Sequence, residues 1–259
     1  MTGPDHSELV SCILPAYNCE KTIVETVNSV LNQTYRNIEL IIVDDASTDR
    51  TQEICRSLQS KDSRIVFEIN PENIGTLETR HKAIGMAKGE WIAFIDADDL
   101  WQPEKIEKQA ALQKSTGCDL VYTASAFIDG DGELYDWIMH VPCEVQYKKL
   151  LKQNVIPNSS VFMRKRDFIK YSPPEEREHD MHEDFACWLC MLRAGLVPLG
   201  IDEPLLTYRI SKRSSSGNKM KASVLNMNTY KYIGLGFFER NYYQLCYAIN
   251  GIKKYLHFK

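Results

Sequence analysis

Apolar runs alternate with helix-periodic segments along the first half of the chain. Four short runs, at residues 10–14, 38–43, 65–69 and 91–95, are almost entirely apolar. Continuous apolar runs of this length are expected for strands that are buried on both faces of a parallel sheet. Between them, apolar residues recur every three or four positions, which predicts helices.

The segments between these runs carry helix-end signals. The first predicted helix covers residues 23–31, and Ser47 is a predicted N-cap of the second, which continues through Ile54 and Leu58. The third predicted helix ends at Gly89. This alternation predicts an α/β fold in which a mixed, mostly parallel sheet is flanked by helices.

The second half of the chain is less regular. Its predicted elements are a helix from Pro103 to about Thr116, strands at residues 120–128 and 205–209, a turn at residues 129–132, and a helix from Glu183 to Arg193. Residues 211–217 are polar and basic, which predicts a flexible segment.

Composition indicates a globular protein, and the length fits either one large α/β domain or one domain with an appendage. The 259 residues are 44% hydrophobic and 25% charged, which excludes disordered and collagen-like chains. No run approaches the roughly 18 apolar residues that cross a bilayer. Residues 1–10 are polar and acidic, unlike a secretory signal, so we expect a cytoplasmic protein.

Charge is unevenly divided, although the net value is only −4. Residues 1–208 contain 21 basic and 34 acidic side chains, whereas residues 209–259 contain 10 basic side chains and one acidic, Glu239. The acidic total argues against nucleic acid as a partner.

The segment 219–259 combines its positive charge with nine Tyr and Phe side chains. Aromatic and basic residues together are typical of contact with an anionic membrane surface, here the inner face of the membrane. The same composition would suit two helices that pack on their own domain or on a second copy in a homodimer. The sequence leaves these interpretations open.

Polar residues follow three of the predicted strands, where open parallel sheets bind their ligands. They are Pro15-Ala16-Tyr17-Asn18, Asp44-Asp45 and Asp96-Ala97-Asp98-Asp99. Carboxylates gathered at one rim raise each other's pKa and need a compensating cation. Their oxygen ligands suit Mg²⁺ or Mn²⁺, which typically engage one or two carboxylates and substrate phosphates.

Two common nucleotide-binding signatures are missing from the chain. The first predicted strand leads into Pro15 rather than G-x-G-x-x-G, and no G-x-x-x-x-G-K-[ST] motif occurs. A metal–diphosphate site without a glycine cradle remains, which indicates a nucleotide-diphosphate donor.

Four motifs, in this order, resemble those of the family 2 glycosyltransferases. They are residues 10–18 (VSCILPAYN), 43–49 (VDDASTD), 73–75 (NIG) with Arg80, and 94–99 (FIDADD), and residues 183–185 (EDF) resemble the acceptor-side motif of the same family. The resemblance implies the GT-A fold for residues 1–217, with a nucleotide-binding half at about 8–117 and an acceptor half at about 118–217. Residues 218–259 would then form a helical C-terminal tail.

This resemblance also implies an activity, which is inverting transfer of a sugar from a nucleotide-diphosphate sugar, usually a UDP-sugar, to a saccharide or lipid-linked acceptor. It places the nucleotide at Pro15, Ala16, Tyr17, Asn18, Asp44, Asp45, Arg80, Asp96, Ala97 and Asp98. The implied ligands of Mn²⁺ or Mg²⁺ are Asp96, Asp98 and Asp99. Asp184 is the implied general base, with Glu183 beside it.

One departure from the family pattern concerns the end of the late strand. Many relatives have a histidine two residues after Tyr-Arg, where this chain has Ser211. Arg209, Lys212 and Arg213 are candidates to hold the diphosphate instead, on a loop that orders over the donor. The alternative is a solvated loop.

Several assignments have structural or functional alternatives. Asp49 is predicted to cap the following helix, and Asp184 could simply complement a helix dipole. A sugar nucleotidyltransferase is disfavoured because its Gly-rich triphosphate loop is absent. A non-catalytic sugar-nucleotide-binding module would keep Asp45 and Asp98 but would need no base at position 184. We therefore expect a glycosyltransferase that builds a surface polysaccharide or glycolipid.

Overall fold

One mixed sheet organises the chain in a computed structural model that describes residues 8–174, 181–210 and 219–255. Its strands are β1 (Val10–Ala16), β2 (Ile38–Asp44), β3 (Ile65–Ile69), β4 (Trp91–Phe94), β5 (Leu100–Trp101), β6 (Leu120–Ile128), β7 (Leu134–Met139), β8 (Phe162–Arg164) and β9 (Pro198–Arg209). The helices are α1 (Ile23–Leu31), α2 (Thr51–Gln59), α3 (Thr76–Met86), α4 (Lys105–Thr116), α5 (Tyr147–Leu150), α6 (Lys165–Tyr171), α7 (Glu183–Arg193), α8 (Lys219–Tyr232) and α9 (Phe237–Tyr255).

The strand order is β3-β2-β1-β4-β8-β6-β9-β5, with β7 paired to β6. Strands β1 to β4 are parallel, as their apolar runs predicted. In the second half, β8 pairs antiparallel with β4 and β6, and β5 pairs antiparallel with β9. The α/β prediction of a mixed sheet with flanking helices is confirmed, and the second half combines these antiparallel pairs with one long parallel pair, β6 and β9.

Alternating side chains of the strands build a hydrophobic core on each face of the sheet. In β1, Ile13 packs in one fully buried cluster with Ile41 and Phe94, whereas Cys12 and Leu14 belong to the other. Successive residues of a strand point to opposite faces, so a run that is apolar throughout serves both cores.

Two helix ends differ from the sequence predictions. The residues expected there, Ser47 and Gly89, form hydrogen bonds to distant parts of the chain instead of ending a helix. Helix α2 begins at Thr51, so the prediction of Ser47 as its N-cap is wrong. Arg50 is the N-cap, and the Asp49 carboxylate, one residue earlier, accepts from the first helical N–H, that of Thr51, at 2.9 Å. Helix α3 ends at Met86, and the N–H of Gly89 donates to Ser11 Oγ of β1 at 2.9 Å.

Helix α8 packs on α7, and its inner face belongs to the core of the domain. Tyr230 is fully buried, donates its hydroxyl to the Leu151 carbonyl at 2.6 Å and contacts the ring of Phe185. Arg193 of α7 donates to the Ile233 carbonyl at 2.6 Å. One side of the tail therefore packs on its own domain. None of the helices in the described ranges is both long and apolar enough to cross a membrane.

Candidate active site

The acidic turn, residues 96–99, follows β4 at the carboxyl end of the parallel strands. The hydroxyls of Thr22 and Thr26 donate to the Ala97 carbonyl at 2.8 and 3.1 Å. Ser159 Oγ accepts from the first N–H of the turn at 3.0 Å. Side chains from two other parts of the chain therefore fix the position of the turn.

The carboxyl groups of this turn lie among like charges, and the deepest of them, Asp99, is buried. Burial and the neighbouring charge of Asp96 raise the pKa of Asp98 to about 6. The same causes, with the charge of Asp98, raise the pKa of Asp99 well above its ordinary value. Asp99 Oδ1 accepts from the Arg209 N–H at 3.0 Å, and the Ser159 hydroxyl opposes the rise in the pKa of this carboxyl group, but no hydrogen bond of ordinary geometry reaches the buried Oδ2. A buried carboxylate oxygen without a donor fits a divalent cation with a preference for oxygen ligands.

The predicted ligand set of Asp96, Asp98 and Asp99 does not form a complete metal site. Across residues 8–174, 181–210 and 219–255, no three His, Cys, Asp or Glu side chains converge as they would around a metal ion. One reason is that Asp96 faces Arg80, and that one oxygen of Asp99 accepts a hydrogen bond from the backbone of β9. Neither oxygen is then turned toward a shared metal position. Mg²⁺ and Mn²⁺ commonly bind to such incomplete sets when substrate phosphates supply further ligands.

Arg209 is the last residue of β9, and its side chain is only 6% exposed. Its Nε donates to the Asp98 carbonyl at 2.9 Å, and one terminal nitrogen donates to Glu25 Oε2 at 2.8 Å. Arg209 therefore lies at the end of a strand rather than on a loop, and two of its three guanidinium nitrogens contact the acidic turn and α1. Its contact with the diphosphate stays a prediction. Lys212 and Arg213 lie outside the described residues.

The first two motifs lie side by side because β1 and β2 are parallel and in register. Pro15 is aligned with Val43, and Ala16 with Asp44. Tyr17 follows directly and is 51% exposed. An exposed aromatic ring at the end of the strands can stack on a planar ligand.

Two non-glycine residues at this rim have left-handed backbone angles, with φ of 47° at Asn18 and 58° at Ala46. Such angles cost roughly 1–2 kcal/mol per residue. The Asn18 N–H donates to Ser47 Oγ at 2.9 Å, and Asn18 Oδ1 accepts from the Thr48 N–H at 2.8 Å. These hydrogen bonds tie the two turns to each other.

Asp45 is buried, and donors of the protein itself surround its carboxylate. Oδ1 accepts from Asn70 Nδ2 and the Ile74 N–H, and Oδ2 accepts from the Gly75 N–H, each at 2.9 Å. Gly75 has a φ of 96°, which residues with a side chain rarely adopt. The NIG motif thus holds Asp45 in place. A carboxylate has about four acceptor sites, so the bond from a nucleobase N–H stays a prediction.

Asp44 orders the loop between β2 and α2. Its Oδ2 accepts from the Ser47 N–H at 2.8 Å and from Gln52 Nε2 at 2.9 Å. Its Oδ1 is buried without a partner. These hydrogen bonds give Asp44 a structural role. Only Oδ1 is available for a nucleotide, so that role of Asp44 stays a prediction.

Arg80 joins the acidic turn to the acceptor-side motif. Its side chain is 4% exposed, with one terminal nitrogen 2.9 Å from Glu183 Oε1 and the other 3.5 Å from Asp96 Oδ1. Burial alone would lower the pKa of Arg80, but the charges of Glu183 and Asp96 outweigh it, and Asp184 adds to them. The structure therefore brings together four residues that the sequence predicted for one site.

Asp184 lies in the first turn of α7, next to Glu183. Burial, with the like charge of Glu183, raises the pKa of Asp184 from 3.8 to about 7, against the opposing effects of the Phe185 N–H and Arg80. A carboxyl group with a pKa near neutrality can exchange a proton with a substrate.

His182 precedes α7 and fastens α8 beside this carboxyl group. Its N–H donates to Thr229 Oγ1 at 3.1 Å, and its Nε2 lies 3.2 Å from the Ala222 carbonyl. Burial lowers the pKa of His182. Its contacts give it a structural role at the junction of α7 and α8.

The parallel half-sheet and the acidic turn after β4 agree with the GT-A glycosyltransferases, the class that the motif resemblance implied. Residues 11–172 match the family model described as glycosyl transferase family 2. The chain belongs to this family, and the resemblance of its motifs is confirmed.

Two relatives match nearly the whole chain, including most of the tail. The putative teichuronic acid biosynthesis glycosyltransferase TuaG of Bacillus subtilis is 35% identical over 96% of this chain and 98% of its own length. The UDP-Glc:alpha-D-GlcNAc-diphosphoundecaprenol beta-1,3-glucosyltransferase WfaP of Escherichia coli is 36% identical over 96% of both chains.

Solved structures confirm the GT-A fold. S. aureus TarS 1-349 in complex with UDP-GlcNAc superposes with a TM-score of 0.68 at 19% identity, covering 92% of this chain and 71% of that one. The mannosyltransferase PcManGT from Pyrobaculum calidifontis, in complex with GDP-Man and Mn²⁺, gives a TM-score of 0.68 at 17% identity, over 90% of this chain and 67% of that one.

Proposed function

We propose that this protein transfers a sugar, with inversion, from a UDP-sugar to a hydroxyl group of a saccharide or lipid-linked acceptor during assembly of a bacterial surface polysaccharide. The observation that carries the proposal is the pairing of Arg80 with both Asp96 and Glu183, which we call the Arg80 bridge. The bridge holds the start of α7, and with it Asp184, beside the acidic turn. The names of the Bacillus and Escherichia relatives support a cell-envelope product and, for WfaP, a UDP-Glc donor and a lipid-linked acceptor.

Asp184 is the proposed general base. In an inverting transfer, the acceptor oxygen bonds to the anomeric carbon while the bond from that carbon to the diphosphate oxygen breaks. The acceptor proton passes to the Asp184 carboxylate, and the electron pair of the broken bond leaves with the nucleoside diphosphate. One displacement needs one base, and the raised pKa of Asp184 suits it to that task. A non-catalytic binding module would not need this carboxyl group.

The donor side is proposed to combine stacking, hydrogen bonding and a divalent cation. The exposed ring of Tyr17 would stack on the base, and Asp45 would accept from its ring N–H. Asp98 and the unpaired Oδ2 of Asp99 would hold Mn²⁺ or Mg²⁺ together with the diphosphate. When bound, the cation would neutralise charge on the leaving nucleoside diphosphate.

Donor hydrolysis tests this proposal directly. We expect the protein to release UDP from one UDP-sugar in a panel of UDP-, GDP- and dTDP-sugars when Mn²⁺ is present, and at least about a hundredfold more slowly in EDTA, because the cation supplies several kcal/mol. Asp98→Asn should lose the Mn²⁺ response, whereas the exposed turn variant Asp131→Asn should keep it. Failure to bind or hydrolyse any nucleotide-sugar would contradict the proposal.

The pH dependence of transfer reports on the proposed base. Asp184 must be ionised to accept a proton, so we expect the rate at saturating donor to fall about tenfold per pH unit below about 7 and to level off above it. Donor binding measured over the same range separates this effect from protonation of Asp98, whose pKa is about 6. A rate that stays constant down to pH 5, at saturating donor, would exclude Asp184 as the base.

A further inference from the structure

Helix α9 presents a stripe of apolar side chains to solvent. The stripe consists of Phe238, Tyr242, Leu245 and Ile249, spaced at four, three and four residues, so all lie on one side of the helix. Phe238 is 86% exposed and Leu245 is 62% exposed. The other side of α9 packs inward, where Tyr243 contacts Tyr230 and Tyr247 contacts Phe185.

This arrangement is unusual for a helix that has water on its outer side. A surface helix normally directs polar residues outward and apolar residues inward, whereas α9 is apolar or aromatic on both sides. Met220 and Val224, one turn apart on α8, are also exposed, and Gln244 of α9 bonds to Ser223 beside them. An exposed apolar surface of this kind marks a site of association.

Positive charge borders the stripe. Lys148, Lys149 and Lys152 are exposed at and just after α5, and the Lys152 Nζ lies 5.9 Å from the centre of the Tyr242 ring. Asn250 of α9 donates to the Lys152 carbonyl at 3.1 Å, which joins this lysine cluster to the helix. Residues 219–259 contain seven basic side chains and one acidic.

We propose that the α9 stripe docks this protein on the surface of an anionic lipid bilayer, with the helix lying in the interface. Apolar and aromatic side chains would enter the headgroup region while the bordering lysines contact anionic headgroups. The lipid is favoured over a second copy because the lysines beside the stripe complement anionic headgroups, whereas the stripe of a second copy has the same positively charged border.

Docking by this face extends the proposed function, and the reason for docking depends on that function. Helix α8 connects the stripe to the site, since His182, two residues before Asp184, contacts the Ala222 carbonyl of α8. A protein held at the bilayer by α8 and α9 would meet an acceptor whose diphosphate is anchored in the same membrane. Of the two acceptor classes in the proposed function, docking by this face therefore favours the lipid-linked one.

Vesicle flotation of the full chain tests the docking face. We expect the wild-type protein to bind vesicles of equal parts phosphatidylglycerol and phosphatidylcholine, and to bind pure phosphatidylcholine weakly. The variant Phe238→Ser/Tyr242→Ser/Leu245→Ser should lose at least about tenfold in the partition coefficient, because three apolar side chains no longer enter the interface. Lys148→Gln/Lys149→Gln/Lys152→Gln should lose on the order of tenfold or more, and only on anionic vesicles.

The matched control is Leu134→Ser, which removes an exposed leucine from β7. It should bind vesicles like the wild type, and unchanged thermal unfolding of all variants would show that each is folded. Equal binding by the stripe variant and the wild type, or no binding of the wild type to anionic vesicles, would overturn the proposal. A wild-type dimer in sedimentation equilibrium that the stripe variant converts to a monomer, without a change in vesicle binding, would assign the stripe to a second copy instead.

UDP release from the donor in lipid-free buffer separates this inference from the proposed function. The stripe variant should keep the wild-type rate, since none of its changed residues belongs to the candidate active site. Vesicle binding by a protein that consumes no nucleotide-sugar would refute the proposed function and leave the docking face standing. Consumption of the donor by a protein that does not bind vesicles would refute the docking face and leave the proposed function standing.

Discussion

Asp184→Asn is expected to lower the rate of sugar transfer roughly 10²–10⁴-fold while leaving donor binding intact. The substitution keeps the shape of the side chain but removes the carboxylate that would accept the acceptor proton, and a general base contributes a factor of that size. Initial rates with a defined acceptor and calorimetric binding of the UDP-sugar would measure the two properties separately. The alternative function, a non-catalytic binding module, predicts that neither the wild type nor the variant transfers sugar.

The stability of this variant identifies the origin of the loss. The pKa of Asp184 is about 7 in the folded protein and 3.8 ordinarily. At a pH above 3.8, the ionised carboxylate is therefore less stable in the folded protein than in the unfolded chain, and it lowers the free energy of unfolding. Asparagine removes that cost, and the free energy of unfolding at pH 8 should not decrease.

A matched control for this variant is Asp167→Asn, which changes an aspartate in the first turn of α6. Both substitutions remove a carboxylate from a helix N-terminus, but only position 184 adjoins the candidate site. If the two variants retained equal activity, Asp184 would have only the structural role of complementing the helix dipole.

Arg80→Met is expected to destabilise the protein by about 2–3 kcal/mol and to abolish most of its activity. Removing one partner of a fully buried ion pair costs roughly 3–5 kcal/mol, because the other charge stays buried without compensation. The estimate here is lower since the side chains of Glu183 and Asp96 are 23% and 38% exposed and retain some contact with water. Urea unfolding would measure the change.

The pH–rate profile provides a second readout for Arg80. The guanidinium lowers the pKa of Asp184, so its removal should move the profile to higher pH. Arg80→Lys keeps the charge and should restore part of the stability and of the profile. The control Arg50→Met breaks an exposed arginine–glutamate pair at the start of α2 and should change stability little. Equal stability losses at positions 50 and 80 would contradict the role assigned to the bridge.

The parallel half of the sheet was predictable because each of its strands carries an almost entirely apolar run, although the edge strand β3 is only partly buried. The run at residues 65–69 coincides with β3, and the other three runs differ from their strands by at most two residues. Strand β8 has only three residues and pairs across the sheet with β4 and β6, so no local pattern marks it.

The candidate site was predictable where the residues lie in continuous motifs, as at Asp45, Asp96 and Asp184. The partners that hold those motifs were not, since they come from distant parts of the chain. Arg209 ends a predicted strand, and nothing in the local sequence indicates that its side chain is buried against the acidic turn and α1. Glu25 and Ser159 likewise give no signal, because their roles depend on contacts with residues 209 and 96.

The left-handed angles at Asn18 and Ala46 affect how the donor would be exchanged. The two turns are held in shape by hydrogen bonds within the protein, so their conformational entropy is lost when the chain folds. A nucleotide that arrives at this rim would not have to order it again, and less of the free energy of its contacts would be consumed in doing so. The entropic cost of shaping the rim thus falls on folding, once in the lifetime of each molecule, rather than on every catalytic cycle.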